Sequence, residues 1–194
     1  MSKSDPAASR KERNKTIRWV VTIFIVTILI SGIISFASSE LMEVSSTAVA
    51  FVILLVIILI GIVFDVIGVA VTSADEKPFH SMASRKVPGA HESISLLRNA
   101  ERVSSICNDV IGDICGVVSG SASATIAANI VANFSGTWNE IVVLLMSALV
   151  AGITVGGKAI GKTFAIGSCV KIVSSVGRII WFFKNLPTLL RKKK

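Results

Sequence analysis

Three carboxylates stand inside apolar stretches of this 194-residue chain: Asp65 within Ala48–Val71, and Asp109 and Asp113 within Ile106–Ala132. An ionised side chain in a stretch long enough to cross a bilayer is costly, and by default it marks a functional site. Asp109 and Asp113 are four residues apart, so a helix places them on one face. Asn108 stands beside them, and Thr72 and Ser73 follow the stretch that holds Asp65. Carboxylate, amide and hydroxyl oxygens are hard ligands suited to Mg²⁺ or Ca²⁺. Lys158 and Lys162, in a fourth apolar stretch, supply the opposite explanation. They neutralise the acids as internal ion pairs, or the acids reach to the membrane surface on their own stems. The residue types alone leave both readings open.

Other motifs carry less chemistry. Gly156-Gly157-Lys158-Ala159-Ile160-Gly161-Lys162-Thr163 fits the phosphate-loop pattern letter for letter. Such a loop follows a strand of a parallel sheet, whereas this one ends a long apolar run, and no later strand ends in Asp. Close helix packing explains its glycines, and anchoring at the membrane surface explains its lysines. Gly112, Gly116 and Gly120, with Gly152/Gly156 and Gly157/Gly161, repeat small residues at four-residue steps. That spacing predicts tight packing of the third and fourth spans and is compatible with a dimer. Cys107 and Cys115 read as small packing residues, and His80 and His91 as surface residues. No Ser/His/Asp arrangement or other catalytic pair has supporting context, so the chain does not read as an enzyme, and a lipid-modifying activity has no residues to carry it.

The elements that must position these groups follow from composition. Hydrophobic residues make up 52% of the chain and charged residues only 16%, against about 25% charged in a soluble domain. Mean hydropathy is +0.75. These values exclude disorder, a disulfide scaffold and a soluble two-domain enzyme, and they predict an all-α integral membrane protein. Four segments approach the roughly 20 residues a spanning helix needs: Trp19–Phe36, Ala48–Val71, Ile106–Ala132 and Ile141–Ile166.

All 20 Lys and Arg residues fall in three places: residues 1–18, the Thr72–Ser105 loop, and the stretch from Lys158 to Lys194. The segments Ala37–Thr47 and Asn133–Glu140 hold no basic residue, only Glu40, Glu43 and Glu140. The positive-inside rule then predicts a multi-pass protein of the cytoplasmic (inner) membrane with both termini cytoplasmic. The net charge of +8 marks that face rather than a nucleic-acid site. A basic start, an apolar run and Ser35-Phe36-Ala37 also fit a signal peptide, but an apolar core of 18 residues exceeds the usual 7–15 or so. Within the loop, His91–Arg98 reads as an amphipathic helix along the inner surface, with Pro78 and Pro88 as punctuation. Val170–Phe183 reads as a second interfacial helix, with Ile172, Val176, Ile179, Ile180 and Phe183 opposite Lys171, Arg178 and Lys184. Arg191–Lys194 forms a basic tail drawn to anionic lipid at about 1 kcal/mol per charge.

From Val66 onward the sequence resembles the transmembrane domain of the cyclin M / CorC family of magnesium and cobalt transport-associated proteins. Thr72-Ser73-Ala74-Asp75-Glu76 resembles the S-A-S-E motif that ends the family's first transmembrane helix, with Asp75 for the second Ser. Cys107-Asn108-Asp109-Val110-Ile111-Gly112-Asp113 sits where the family has a G-N-N-L-V-N-like run; Asn108 matches, and Asp109 and Gly112 depart. Gly157-Lys158-Ala159-Ile160-Gly161-Lys162-Thr163 resembles G-E-I-x-P-K-T, with Lys158 in place of Glu and Gly161 in place of Pro. The resemblance covers residues 48–168, with an extra transmembrane helix at 19–36, a basic N-terminus at 1–18, and an interfacial helix and tail at 169–194.

The resemblance implies a homodimer that binds Mg²⁺ through side-chain oxygens and backbone carbonyls. On this chain Ser73, Asn108, Asp109 and Asp113 would supply side-chain ligands, and Gly157 a carbonyl from a loosened helix. The expected function is divalent-cation transport or homeostasis. The alternative is a non-transporting membrane adaptor or regulatory subunit, in which Lys158, paired with acids such as Asp65, replaces the cation.

Overall fold

Residues whose backbone groups bond within their own helix need no water, which is why an apolar chain of this composition forms helices throughout. A computed structural model describes residues 6–44, 46–131 and 138–191; the basic residues Lys3 and Lys192–Lys194 lie outside them. Among the described residues the order is α1 (Pro6–Val44), α2 (Thr47–Ser73), α3 (Lys77–Ser84), α4 (Ala90–Arg98), α5 (Ala100–Ser105), a π-helical segment (Ile106–Gly112), α6 (Asp113–Val131), α7 (Trp138–Gly167) and α8 (Cys169–Arg191). No strand occurs among these residues.

Four stretches are long and apolar enough to cross a membrane: Thr16–Glu40, Thr47–Ser73, Ala100–Val131 and Glu140–Gly167. The first, second and fourth contain the matching apolar run and extend past it; the third begins six residues earlier than expected, and the Ala132 end of its expected run lies outside the described residues. The third joins α5, the π-helical segment and α6 into one rod. Apolar exposure agrees with a multi-pass membrane protein. Ile160 is 75% exposed and Phe36 70%, and Leu144, Val117 and Phe24 are exposed with them. Water would not tolerate such a continuous apolar surface, but lipid chains match it.

Helix α2 runs through the middle and touches α5, the π-helical segment, α6, α7 and α8. Its first half buries Ala50, Leu54 and Ile58 against Ala122 and Ile126 of α6 and Val150 of α7. Helix α1 lies at the edge, where Ile23, Ile30 and Ile34 cover Val110, Ile114 and Val118. Near the start of the apolar stretch of α1 the Arg102 guanidinium sits over the Trp19 ring, 5.4 Å from the centroid.

Beyond the last turns of α2 and α7, a layer of short helices closes one end. Phe79 of α3 is fully buried there among Ala70, Val71, Ile94, Leu97, Ala165 and Val173. The sequence predicts residues 72–90 as loop punctuated by Pro78 and Pro88. Pro78 instead lies in the first turn of α3, where its missing N–H costs no hydrogen bond. The Asp75 carboxylate accepts the Lys77 N–H there at 3.2 Å.

Helix α4 begins after Gly89 at φ +86°, a left-handed conformation that suits glycine. Its expected partner was the membrane surface, but it packs across α8. Ser93 donates to the carbonyls of Gly89 (2.9 Å) and Val173 (3.2 Å). A side chain at Gly177 would collide with the Ser93 hydroxyl, and one at Gly89 with the Arg178 backbone. So the face of α8 turned inward is Val173 and Gly177. Of the apolar face expected there, Ile179, Ile180 and Phe183 are exposed.

Candidate functional site

Asp65 projects from the middle helix and is 3% exposed, so its surroundings decide its state. Helix α7 reaches it because Gly157 and Gly161 admit Ile62 and Val66 of α2 against the bare helix backbone. Lys158 and Lys162, one residue further along in each case, are carried in with them. Four residues apart, the two lysines share a face of α7. Lys162 Nζ lies 3.7 Å from Asp65 Oδ2. Lys158 Nζ donates to the Gly112 carbonyl at 3.2 Å and lies 3.8 Å from Asp113 Oδ1.

Gly112 makes this convergence possible. A Cβ there would stand 3.4 Å from Lys158 Nζ, 3.7 Å from Asp65 Oδ1 and 3.3 Å from the Cys107 carbonyl. Gly112 also ends the π-helical segment, where the wider turn alters the helical hydrogen-bond ladder; such turns often occur at functional sites. One turn away, the Asn108 side chain lies on Gly68, too close for any Cβ at that position. Asn108 Nδ2 donates to Ser104 Oγ at 3.2 Å. Its Oδ1, like Asp65 Oδ2, is buried without a hydrogen bond.

The expected ligand set separates. Asn108 and Asp113 flank the convergence point, although the Asp113 side chain is 72% exposed. Asp109 is exposed on the rod, and Ser73 is exposed as the last residue of α2. Gly157 lies under Ile62 in a helix that runs unbroken from Trp138 to Gly167, so its carbonyl belongs to regular helix. The loosened backbone is at 106–112 instead. The unbroken helix also takes in the whole phosphate-loop pattern. Among the described residues, no three His, Cys, Asp or Glu side chains meet where one metal ion would touch them all. The partners of the lysines are also specific: Asp65 meets Lys162, and Asp113 meets Lys158.

Sequence reasoning missed Gly68, Ser104 and Gly112. Gly112 figures in the sequence only as a step in a run of small residues and as a departure from the family motif, and nothing in the local sequence distinguishes a π turn from an α turn. The small residues divide into two sets. Gly61, Gly157 and Gly161 pack inside, Gly61 against Cys115, whereas Gly116, Gly120, Gly152 and Gly156 have no neighbour within 4 Å.

No protein-family model, curated protein or solved structure matches this chain. The resemblance to the cyclin M / CorC family therefore rests on the motif residues quoted above.

Chemically, the site offers two carboxylates, an orphaned amide oxygen and a backbone carbonyl, with two ammonium groups already beside them. Removing one partner from a buried ion pair strands a charge, at about 3–5 kcal/mol.

Proposed function

We propose that this chain is a non-transporting membrane adaptor or regulatory subunit whose own Lys158 holds the place of a bound cation. The observation that carries this reading is the position of Lys158 Nζ, on the Gly112 carbonyl and beside Asp113, with Asp65 behind it. An oxygen-lined site filled by a tethered ammonium can fold without a metal. The protein would lie in the cytoplasmic membrane, with its termini and the α3–α4–α8 layer on the cytoplasmic side. That orientation follows from where its basic residues fall. The outward-facing Gly116, Gly120, Gly152 and Gly156 support a homodimer, because small residues let helix backbones approach closely in lipid.

A second reading, divalent-cation transport, is favoured by the unsatisfied Asp65 Oδ2 and Asn108 Oδ1 and by the cyclin M / CorC-like motifs. In it, Mg²⁺ is cargo and displaces Lys158.

Thermal unfolding of the purified protein in Mg²⁺, with Ca²⁺, Co²⁺ and K⁺ as comparisons, separates the two. A ligand held at 100 times its Kd stabilises the folded state by about 2.7 kcal/mol. The adaptor reading expects no shift in millimolar Mg²⁺ and a loss of stability in Lys158→Ala. A saturable, Mg²⁺-selective shift that disappears in the Asp109→Asn/Asp113→Asn double variant would overturn it in favour of transport.

A further inference from the structure

Between α3 and α4 lies an open cavity of about 370 Å³, lined chiefly by His80, His91, Ser95, Arg98 and Asn99. Its size falls within the roughly 300–1,000 Å³ typical of small-molecule sites. It lies in the closing layer, away from the Lys158 site. His91, Ser95 and Arg98 stand at helical spacing on one face of α4, and His80 faces them from α3. No acidic residue lines the cavity. His80 Nε2 pairs with Glu76 Oε2 at 3.2 Å. Asn99 Nδ2 donates to the Ser95 carbonyl. Among the described residues, His91 and Arg98 form no hydrogen bond or ion pair through their side chains.

Elsewhere in the layer Lys184 Nζ lies 3.7 Å from Glu92 Oε1. The unpaired Arg98 guanidinium and His91 imidazole, with the Ser95 hydroxyl, leave donors facing a space that no carboxylate lines, while His80 is held by Glu76. A guanidinium binds a phosphate through two parallel N–H donors, and an imidazole supplies a donor in either protonation state.

We propose that this cavity binds a phosphate ester, with Arg98 as the charged anchor, His91 and Ser95 as supporting donors, and the Glu76-held His80 as part of the wall. A cavity of this volume has room for the group esterified to the phosphate as well as for the anion. Its position, in the closing layer beyond the last turns of α2 and α7, puts it where the membrane surface would lie in the orientation proposed above. The phosphate is therefore supplied by a lipid headgroup or by a soluble ester.

The test measures binding to the full-length protein in nanodiscs by thermal shift and by titration. One arm uses phosphatidylcholine discs with and without phosphatidic acid. The other adds glycerol 3-phosphate or inorganic phosphate to phosphatidylcholine discs. Arg98→Gln should weaken binding about tenfold, the effect of losing one charge-assisted hydrogen bond. Ser95→Leu should weaken it by filling the cavity. Lys171→Gln removes an exposed charge of the same sign elsewhere on the layer and should leave binding unchanged. Arg98 is exposed and unpaired, so its replacement spares the fold. Saturable binding in the phosphatidic acid arm alone assigns the site to a lipid, and saturable binding of the soluble esters assigns it to a free ligand. No saturable binding in either arm, or equal losses in Arg98→Gln and Lys171→Gln, overturns the proposal.

Discussion

The Lys158 site and the α3–α4–α8 layer hold polar groups under opposite conditions. In the first, between helices apolar enough to span a bilayer, Lys158 and Lys162 each approach an acid, and Lys158 takes a backbone carbonyl as well. In the second, Phe79, Val173 and the Ser93–Gly177 contact form a tightly packed seam, while His91 and Arg98 stand at the surface unpaired. With the long helices spanning a bilayer, as proposed above, the difference follows from solvent. A charge in hydrocarbon needs a partner from the protein, whereas a charge at the aqueous boundary is hydrated and stays available to a ligand.

Four substitutions sharpen that contrast, and chemical or thermal unfolding of the purified protein reads each of them. Phe79→Ala should have the largest effect, about 3–5 kcal/mol, because it empties the centre of the closing layer. Lys162→Ala should cost about 2–3 kcal/mol, below Phe79→Ala, by leaving the buried Asp65 carboxylate without its counter-ion; the 52% exposure of the Lys162 side chain keeps the loss under the full cost of a buried pair. Adding Asp65→Asn should recover part of that loss. A double-mutant cycle with no coupling between the two positions would refute the pairing.

Gly177→Ala should cost roughly 1–3 kcal/mol by forcing α8 away from Ser93. Lys184→Ala should come last, at no more than about 1 kcal/mol and less in high salt. Its ammonium is 73% exposed although its partner Glu92 is only 14% exposed, and exposed pairs of this kind contribute little. A Lys184 effect as large as that of Lys162 would erase the distinction between the two regions.

Much of the fold was legible in the sequence because long apolar runs announce themselves. The four candidate spans coincide with such runs, and the two amphipathic helices coincide with segments that alternate apolar and polar faces at helical spacing. Helix α3 was hidden because Pro78 reads as a breaker until its place in the first turn is known. The candidate site was legible as a set of residue types but not as an arrangement. Asp65, Asp113, Lys158 and Lys162 were visible as charges in apolar runs. Which lysine meets which acid depends on how α2 and α7 are rotated, and Gly157 and Gly161 set that rotation through contacts with Ile62 and Val66. Asp109 and Asp113 share spacing, yet a π turn intervenes before Asp113, so four-residue spacing does not guarantee a common environment. Ser73 failed to join the set for a simpler reason: it ends α2, beyond the buried contact.

The π-helical segment also sets the phase of the rod that contains it. An α-helix advances about 100° per residue, so a wider turn shifts every face before it relative to every face after it. Ahead of the segment, α5 turns Arg102 onto the Trp19 ring; behind it, α6 turns Ile114 and Val118 onto the isoleucines of α1. Helix α1 thus grips the rod on both sides of the irregular turn. If the turn tightened to α geometry, the two grips would fall out of line and α1 would keep only one. The same wide turn that places the Gly112 carbonyl under Lys158 therefore also keeps the first helix attached at both places.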